Sequence, residues 1–303
     1  MAHVTFVHGI GNKPPSDQLL GIWERALAYD GGFDLGTRGV TSTMVYWADV
    51  MYPEPDESEF EGTEEVPAAE QGEVDLGWRP GLSDHESNFV EKLAGDLGVD
   101  EVDTHPPAGD EIGVEFERIP LPHWLKQRLM ASLLRDVHHY LFDAEHSPRP
   151  GERYRVQEEI RRRMIDALES GSRRPGPHVV VSHSMGTVIA YDALKRVNDC
   201  PPVDGLITIG SPLARQEIPD EFQPEWTAET GYPSQRLNGP WINVFDHFDP
   251  VVGSLPHVRR FYMKDGEEAV LDLNEQNWGK WRHNISKYLR GTELRKHLTD
   301  LLD

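Results

Sequence analysis

The 303-residue chain is 38% hydrophobic and 9% aromatic, enough apolar material for the core of one large domain. Its 52 acidic residues against 30 basic ones give a formal net charge of -22, a field that repels phosphate backbones and anionic lipid surfaces and argues against a nucleic-acid partner. No run approaches the roughly 18 consecutive apolar residues of a membrane helix, which argues against stable membrane insertion.

The amino terminus, Met1-Ala-His-Val-Thr-Phe-Val-His-Gly9, enters a strand pattern at 3–8 without the charged start and apolar stretch of a signal peptide, so a cytoplasmic location is expected. Further β-branched runs fall at 43–49, 178–183, 205–210, 241–246 and 258–263, with 269–273 as a hairpin partner of the last. Helical patterns separate them at 16–29, 122–145, 152–170, 185–198 and 283–302. Strands alternating with helices predict a three-layer α/β/α sandwich around a mostly parallel sheet, in a single domain spanning 1–303.

From Tyr52 to about Glu86 the chain turns acidic and poor in apolar residues, as in Pro53-Glu-Pro-Asp-Glu-Ser-Glu-Phe-Glu-Gly-Thr-Glu-Glu65, and Asp100 to Glu117 is similar. Between them Phe89 to Leu97 fits a short helix. We read 53–118 as an acidic insertion within the domain, partly mobile; a solvated surface loop is the plain reading and a lid over the site the functional one. The segment from Leu121 to Phe142 carries apolar residues on more than one face and reads as packing between layers before it reads as a cap. Cys200, the lone cysteine, allows no intramolecular disulfide, in keeping with the expected location. Eight of the 30 basic residues are lysine; a lysine-poor acidic surface fits adaptation to high salt and fits arginine-biased coding equally.

The chemistry concentrates at His178-Val-Val-Val-Ser-His-Ser-Met-Gly186. A buried-strand run is followed at once by a helical pattern, so Ser182 to Gly186 must reverse direction with almost no slack. A serine in such a turn projects above the carboxyl edge of the sheet, and its neighbours two residues away, here Ser182 and Gly186, must be small. An ordinary helix N-cap is the plain alternative for Ser184. The stretch resembles the nucleophile elbow of the α/β-hydrolase superfamily, G-x-S-x-G, with Ser182 in place of the first glycine. The elbow sets the Met185 backbone N–H at a helix start, where free donors favour a developing oxyanion.

His8-Gly-Ile-Gly-Asn12, after the first strand, is similar to the His-Gly loop of lipases and esterases, a resemblance that nominates the Ile10 N–H as second oxyanion donor. The family's order of Ser, then acid, then His places both remaining partners after residue 184. Asp246-His-Phe-Asp-Pro-Val-Val252 resembles the late-strand loop in which an Asp before Pro-Val carries the triad, which nominates Asp249, with Asp246 as the substitute. Asp246, His247 and Asp249 also admit a metal reading, but no further ligand cluster is nearby in sequence, so neither a metal nor another cofactor is expected. For the base, His283 follows the last strand and resembles the family's histidine loop, with Tyr288 a few residues on; His257 is the reserve, and His297 reads as a surface residue of the last helix. Gly210-Ser-Pro-Leu213 resembles a turn that shapes the pocket wall, with no catalytic role for Ser211.

The resemblance covers 3–12, 178–213 and 241–288. It implies a shortened sheet, since the two strands usual before the His-Gly strand have no counterpart. It also implies a serine hydrolase of carboxylic esters acting through Ser184, His283 and Asp249, on a small-molecule or lipid ester. An acyltransferase, thioesterase or peptidase with the same triad stays open, as does a non-catalytic binding module, and oligomeric state is not indicated.

Overall fold

The computed structural model describes residues 1–56, 77–97, 123–252, 257–279 and 281–303, without the side chains of 123–130. Its strands are β1 (His3–Val7), β2 (Thr41–Val45), the short antiparallel pair β3 (Glu145–His146) and β4 (Tyr154–Arg155), then β5 (His178–His183), β6 (Gly205–Ile209), β7 (Trp241–Phe245) and β8 (Val270–Asn274). The α-helices are α1 (Ser16–Ala28), α2 (Ala48–Met51), α3 (Asp84–Asp96), α4 (His123–Leu141), α5 (Val156–Ser172), α6 (Met185–Arg196), α7 (Glu217–Asp220), α8 (Ile285–Leu289) and α9 (Thr292–Leu302).

Six strands form one parallel sheet in the order β2-β1-β5-β6-β7-β8. Period-two alternation divides its side chains between two cores. Val179, Val181, Ile207, Ile209, Ile242 and Val244 meet α1 and the carboxyl-terminal helices on one face. Val180, Leu206, Trp241 and Val270 meet α4, α5 and α6 on the other. In α1 the buried residues are Leu19, Trp23, Ala26 and Leu27, and in α9 Leu294, Leu298 and Leu302, spacings of three and four that lay one apolar stripe against the sheet. The expected three-layer α/β/α sandwich is therefore the fold.

The strand read at 43–49 runs over Thr41–Val45, with Ala48 and Asp49 already in α2, and two further elements differ from the sequence reading. Residues 258–263 do not form a strand: Val258–Arg260 is a 3-10 turn, with Val258 and Tyr262 buried and Arg260 between them exposed, where an alternating strand would bury all three. The sixth sheet strand is instead β8, parallel to β7, so 269–273 is no hairpin partner. The terminal pattern 283–302 divides into α8 and α9 at Gly291, whose backbone is extended. A Cβ there would lie 2.3 Å from the Glu275 carboxylate, and that carboxylate accepts the Glu293 N–H at 3.0 Å, satisfying a free donor at the start of α9.

Most of 53–118, including its reading as a lid, lies outside the described residues. Within it, α3 begins with a capping box between Ser83 and Glu86 and buries Phe89, Val90 and Leu93. Leu133, Leu134, Val137 and Tyr140 of α4 are core, so this part of the helix is packing between layers. Among the described residues, no helix is long and apolar enough to cross a membrane.

Candidate active site

Between β5 and α6 the chain turns through Ser184, at φ 54° and ψ -127°. A positive φ is costly for a residue with a Cβ, of order 1–3 kcal/mol, and the surroundings hold it there. The Ser184 N–H donates to the Ile209 carbonyl at 2.9 Å, and its carbonyl accepts from the Thr187 N–H at 2.9 Å and the Thr187 hydroxyl at 2.7 Å. A Cβ on Gly186 would stand 2.5 Å from the Val7 carbonyl oxygen, so only glycine lets α6 approach β1 this closely. Ser182, where the family pattern has glycine, is buried and donates its hydroxyl to the Ile207 carbonyl at 3.2 Å.

The loop after β1 lies directly over the elbow: a Cβ on Gly9 would be 2.7 Å from Ser184 Cβ. His8 shapes this loop. The Trp47 N–H donates to its Nε2 at 3.0 Å, so Nδ1 carries the proton and donates to the Gly9 carbonyl at 2.8 Å. Burial, then the Lys13 ammonium, push the His8 pKa down to about 3, so the ring is neutral. Its plane is stacked on Trp47, with centroids 4.7 Å apart. The Lys13 ammonium donates to the Ile10 carbonyl, and the Gly11 N–H donates to Asp136 Oδ2 of α4 at 3.2 Å. With the carbonyls of Gly9 and Ile10 both engaged, the peptide that carries the Ile10 N–H is held in one orientation beside Ser184, and Met185 opens α6 next to it.

After β7, Asp249 is buried and accepts from His283 Nδ1 through Oδ1 at 2.9 Å and Oδ2 at 2.8 Å. The Val251 N–H at 2.9 Å and the Tyr288 hydroxyl at 2.7 Å complete its shell. Burial, then the Asp249 charge, hold the Tyr288 phenol well above its ordinary pKa, so it stays a donor. His283 Nε2 and Ser184 Oγ are buried and have no hydrogen-bond partner among the described residues, and both residues line one cavity with Gly9, Ile10 and, from α1, Leu19, Ile22 and Trp23. Gly210, at φ +53°, backs this arrangement: a Cβ there would fall 2.9 Å from Asp249 Oδ2 and 3.1 Å from His283 Nδ1.

The other sequence candidates lie apart. Asp246 accepts from the N–H groups of Phe248 and Asn277, both at 2.7 Å, and pairs with Arg282 at 3.3 Å. It fixes the loop and does not meet an imidazole within hydrogen-bond distance. His257 faces Asp272 at 3.6 Å, and His297 faces Glu293 at 3.9 Å on the surface of α9. The Ser211 hydroxyl is spent on Thr187 at 2.7 Å and the Leu213 N–H at 3.2 Å. Among the described residues, no group of three or more His, Cys, Asp or Glu side chains is arranged to hold a metal ion.

Sequence reasoning passed over His183, Asp136, Lys13 and the inner wall of α1. His183 Nε2 donates to the His283 carbonyl at 3.0 Å, with ring centroids 4.6 Å apart. Burial, then the neighbouring His283, push its pKa well down, which keeps the ring neutral. Asp136, the one carboxylate of α4, is buried and pairs with Arg135 at 2.9 Å; a single acidic residue in a helix with apolar residues on more than one face is the one signal the sequence carries.

The chain also resembles known proteins. The model of the Alpha/beta hydrolase family matches residues 120–301, more than half of it. No curated protein matches the sequence. Among solved structures, the chain is similar to esterase PE8, at 13% identity and TM-score 0.41 over 99% of this chain and 93% of that one. It is also similar to an uncharacterized protein from Pseudomonas aeruginosa, at 11% identity and TM-score 0.31 over 91% of this chain and 40% of that one.

Proposed function

From the membership of this chain in the alpha/beta hydrolase family, we propose that it is a serine hydrolase of carboxylic esters, with Ser184 as nucleophile, His283 as base and Asp249 as acid. The observation that carries this reading is the pair of buried, unpartnered atoms, Ser184 Oγ and His283 Nε2, on one cavity, with the other imidazole nitrogen tied to Asp249. A buried polar atom without a partner needs a reason, and a reacting group is one of them; here two such atoms share one cavity.

In this mechanism Ser184 Oγ attacks the ester carbonyl carbon while His283 Nε2 takes the hydroxyl proton. The N–H groups of Ile10 and Met185 hold the oxyanion, and Asp249 stabilises the imidazolium. The tetrahedral intermediate collapses with cleavage of the C–O bond, and His283 passes its proton to the departing alcohol. Water then attacks the acyl-enzyme, giving its proton to His283; the carboxylic acid leaves and the proton returns to Ser184. The whole chain acts as one domain in this reading, with 53–118 an insertion within it, and the substrate is a small-molecule or lipid ester.

Fluorophosphonate labelling followed by intact-mass measurement tests the assignment. The natural protein and His257→Ala are expected to gain one adduct, His283→Ala to label far more slowly, and Ser184→Ala not at all. Full labelling of Ser184→Ala would remove the central claim.

A further inference from the structure

We propose that the site takes esters of short carboxylic acids, of about two to four carbons, and that α1 sets this limit through Leu19, Ile22 and Trp23; the proposal rests on the ester-hydrolase reading. The cavity at Ser184, open on one side, has a volume of about 50 Å³. An apolar cavity of about 150 Å³ is what admits the six carbons of benzene, so by proportion this one holds about two carbons, with a little more chain reaching its mouth.

The chemistry of attack decides which part of the ester uses that space. The carbonyl oxygen must point at the N–H groups of Ile10 and Met185, and the departing oxygen must lie against His283 Nε2, where it is protonated. The acyl substituent is the remaining group on the reacting carbon. It is left the apolar wall of the cavity, where Leu19, Ile22 and Trp23 of α1 stand with Trp281 and Ile285.

That wall has little freedom to retreat. Trp23 is 1% exposed and packs edge-on against Phe6, with centroids 5.4 Å apart, and against His183 at 6.4 Å. Leu19 is equally part of the core on this sheet face. A longer chain meets these close-packed side chains at the inner end of the cavity, and its further carbons must leave past Ile22 without apolar cover. Ile22 is half-buried, so it can be changed with little consequence for the core.

The test is hydrolysis of p-nitrophenyl esters from acetate to dodecanoate by the natural protein, Ile22→Ala and Leu19→Ala. For the natural protein kcat/KM is expected to peak between acetate and butyrate and to fall at least about 10-fold by octanoate, since single methylenes are worth that order in an apolar pocket. Ile22→Ala is expected to raise the octanoate-to-acetate ratio about 10-fold, and Leu19→Ala, if it folds, to do the same. A peak at octanoate or beyond, or a ratio unmoved in Ile22→Ala, overturns the chain-length limit while leaving ester hydrolysis standing. No turnover at any length would overturn both together.

Discussion

The Tyr288 hydroxyl donates to Asp249 Oδ2 at 2.7 Å and accepts the Asp246 backbone N–H at 2.9 Å. One buried phenol thus ties the carboxylate that faces His283 to the strand end that carries it. A hydrogen bond to a charged group contributes about 1.5–3 kcal/mol. Tyr288→Phe keeps the ring and removes only the bond, so kcat is expected to fall about 10- to 100-fold with KM little changed. Steady-state kinetics on a short ester, beside a circular dichroism spectrum matching the natural protein, checks this; an unaltered kcat would mean that Asp249 needs no such support.

Asp249 and Asp246 differ in what they hold. Asp249→Asn removes the acceptor for His283 Nδ1 and allows the wrong tautomer, and about a 10⁴-fold loss of kcat is expected, as for other triads. Asp246→Asn disturbs only loop bonds and is expected to act mainly on stability. Equal losses of turnover in the two variants would contradict the separation of their roles.

Gly186→Ala places a Cβ 2.5 Å from the Val7 carbonyl oxygen and 2.6 Å from that of His8. Both neighbours are backbone and cannot rotate away, so an overpacking cost of about 1–3 kcal/mol is expected in urea unfolding. Ser182→Gly, which restores the family pattern, loses the bond to the Ile207 carbonyl and adds backbone freedom to the unfolded chain, about 1–2 kcal/mol together, and should keep its turnover. A stability for Gly186→Ala equal to that of the natural protein would show that α6 can shift away from β1.

Asp136 accepts from the Gly11 N–H at 3.2 Å and the Tyr52 hydroxyl at 3.3 Å. Asp136→Ala leaves both donors unsatisfied, at about 1–3 kcal/mol each, and frees the loop that presents the Ile10 N–H. Thermal unfolding should come at lower temperature, and the residual folded protein should turn over about 10-fold more slowly at saturating ester. Lower stability with full turnover would leave Asp136 a purely structural anchor.

Burial is the chief cause that pushes six imidazoles below their ordinary value of 6.5: His8 down to about 3, His3, His139 and His178 down to about 4, His183 well down, and His138 downward. Between these values and 6.5 the unfolded chain binds protons that the folded one does not, so stability rises with pH there. Their contribution is complete above about pH 6.5 and is lost progressively as the pH falls toward 4 and then 3. Melting temperatures between pH 7.5 and 4.5 are expected to decline steadily with acidification; a flat profile would contradict the neutral buried state of these rings.

Features that depend on neighbours along the chain were legible in the sequence. The elbow is one, because a strand that runs into a helix across Ser182 to Gly186 leaves a single backbone path. The His-Gly loop is another, because a Cβ on Gly9 would stand 2.7 Å from Ser184 Cβ and glycine alone leaves the loop its place over the elbow. At 258–263 a strand is expected and a turn is found, because Val258 and Tyr262 would be apolar in either and composition alone does not separate the two.

By itself, then, the sequence determined the layered α/β fold and the position of the strained serine, since hydrophobic period and turn chemistry are local. Tertiary structure decided which carboxylate meets which imidazole, that His183 and Tyr288 brace that pair, and that α1 walls the cavity. Asp249 and His283 stand 34 positions apart, and nothing in local spacing distinguishes them from Asp246 and His257. Only the packing of β7 against β8, and of the loops beyond them, sets their distance.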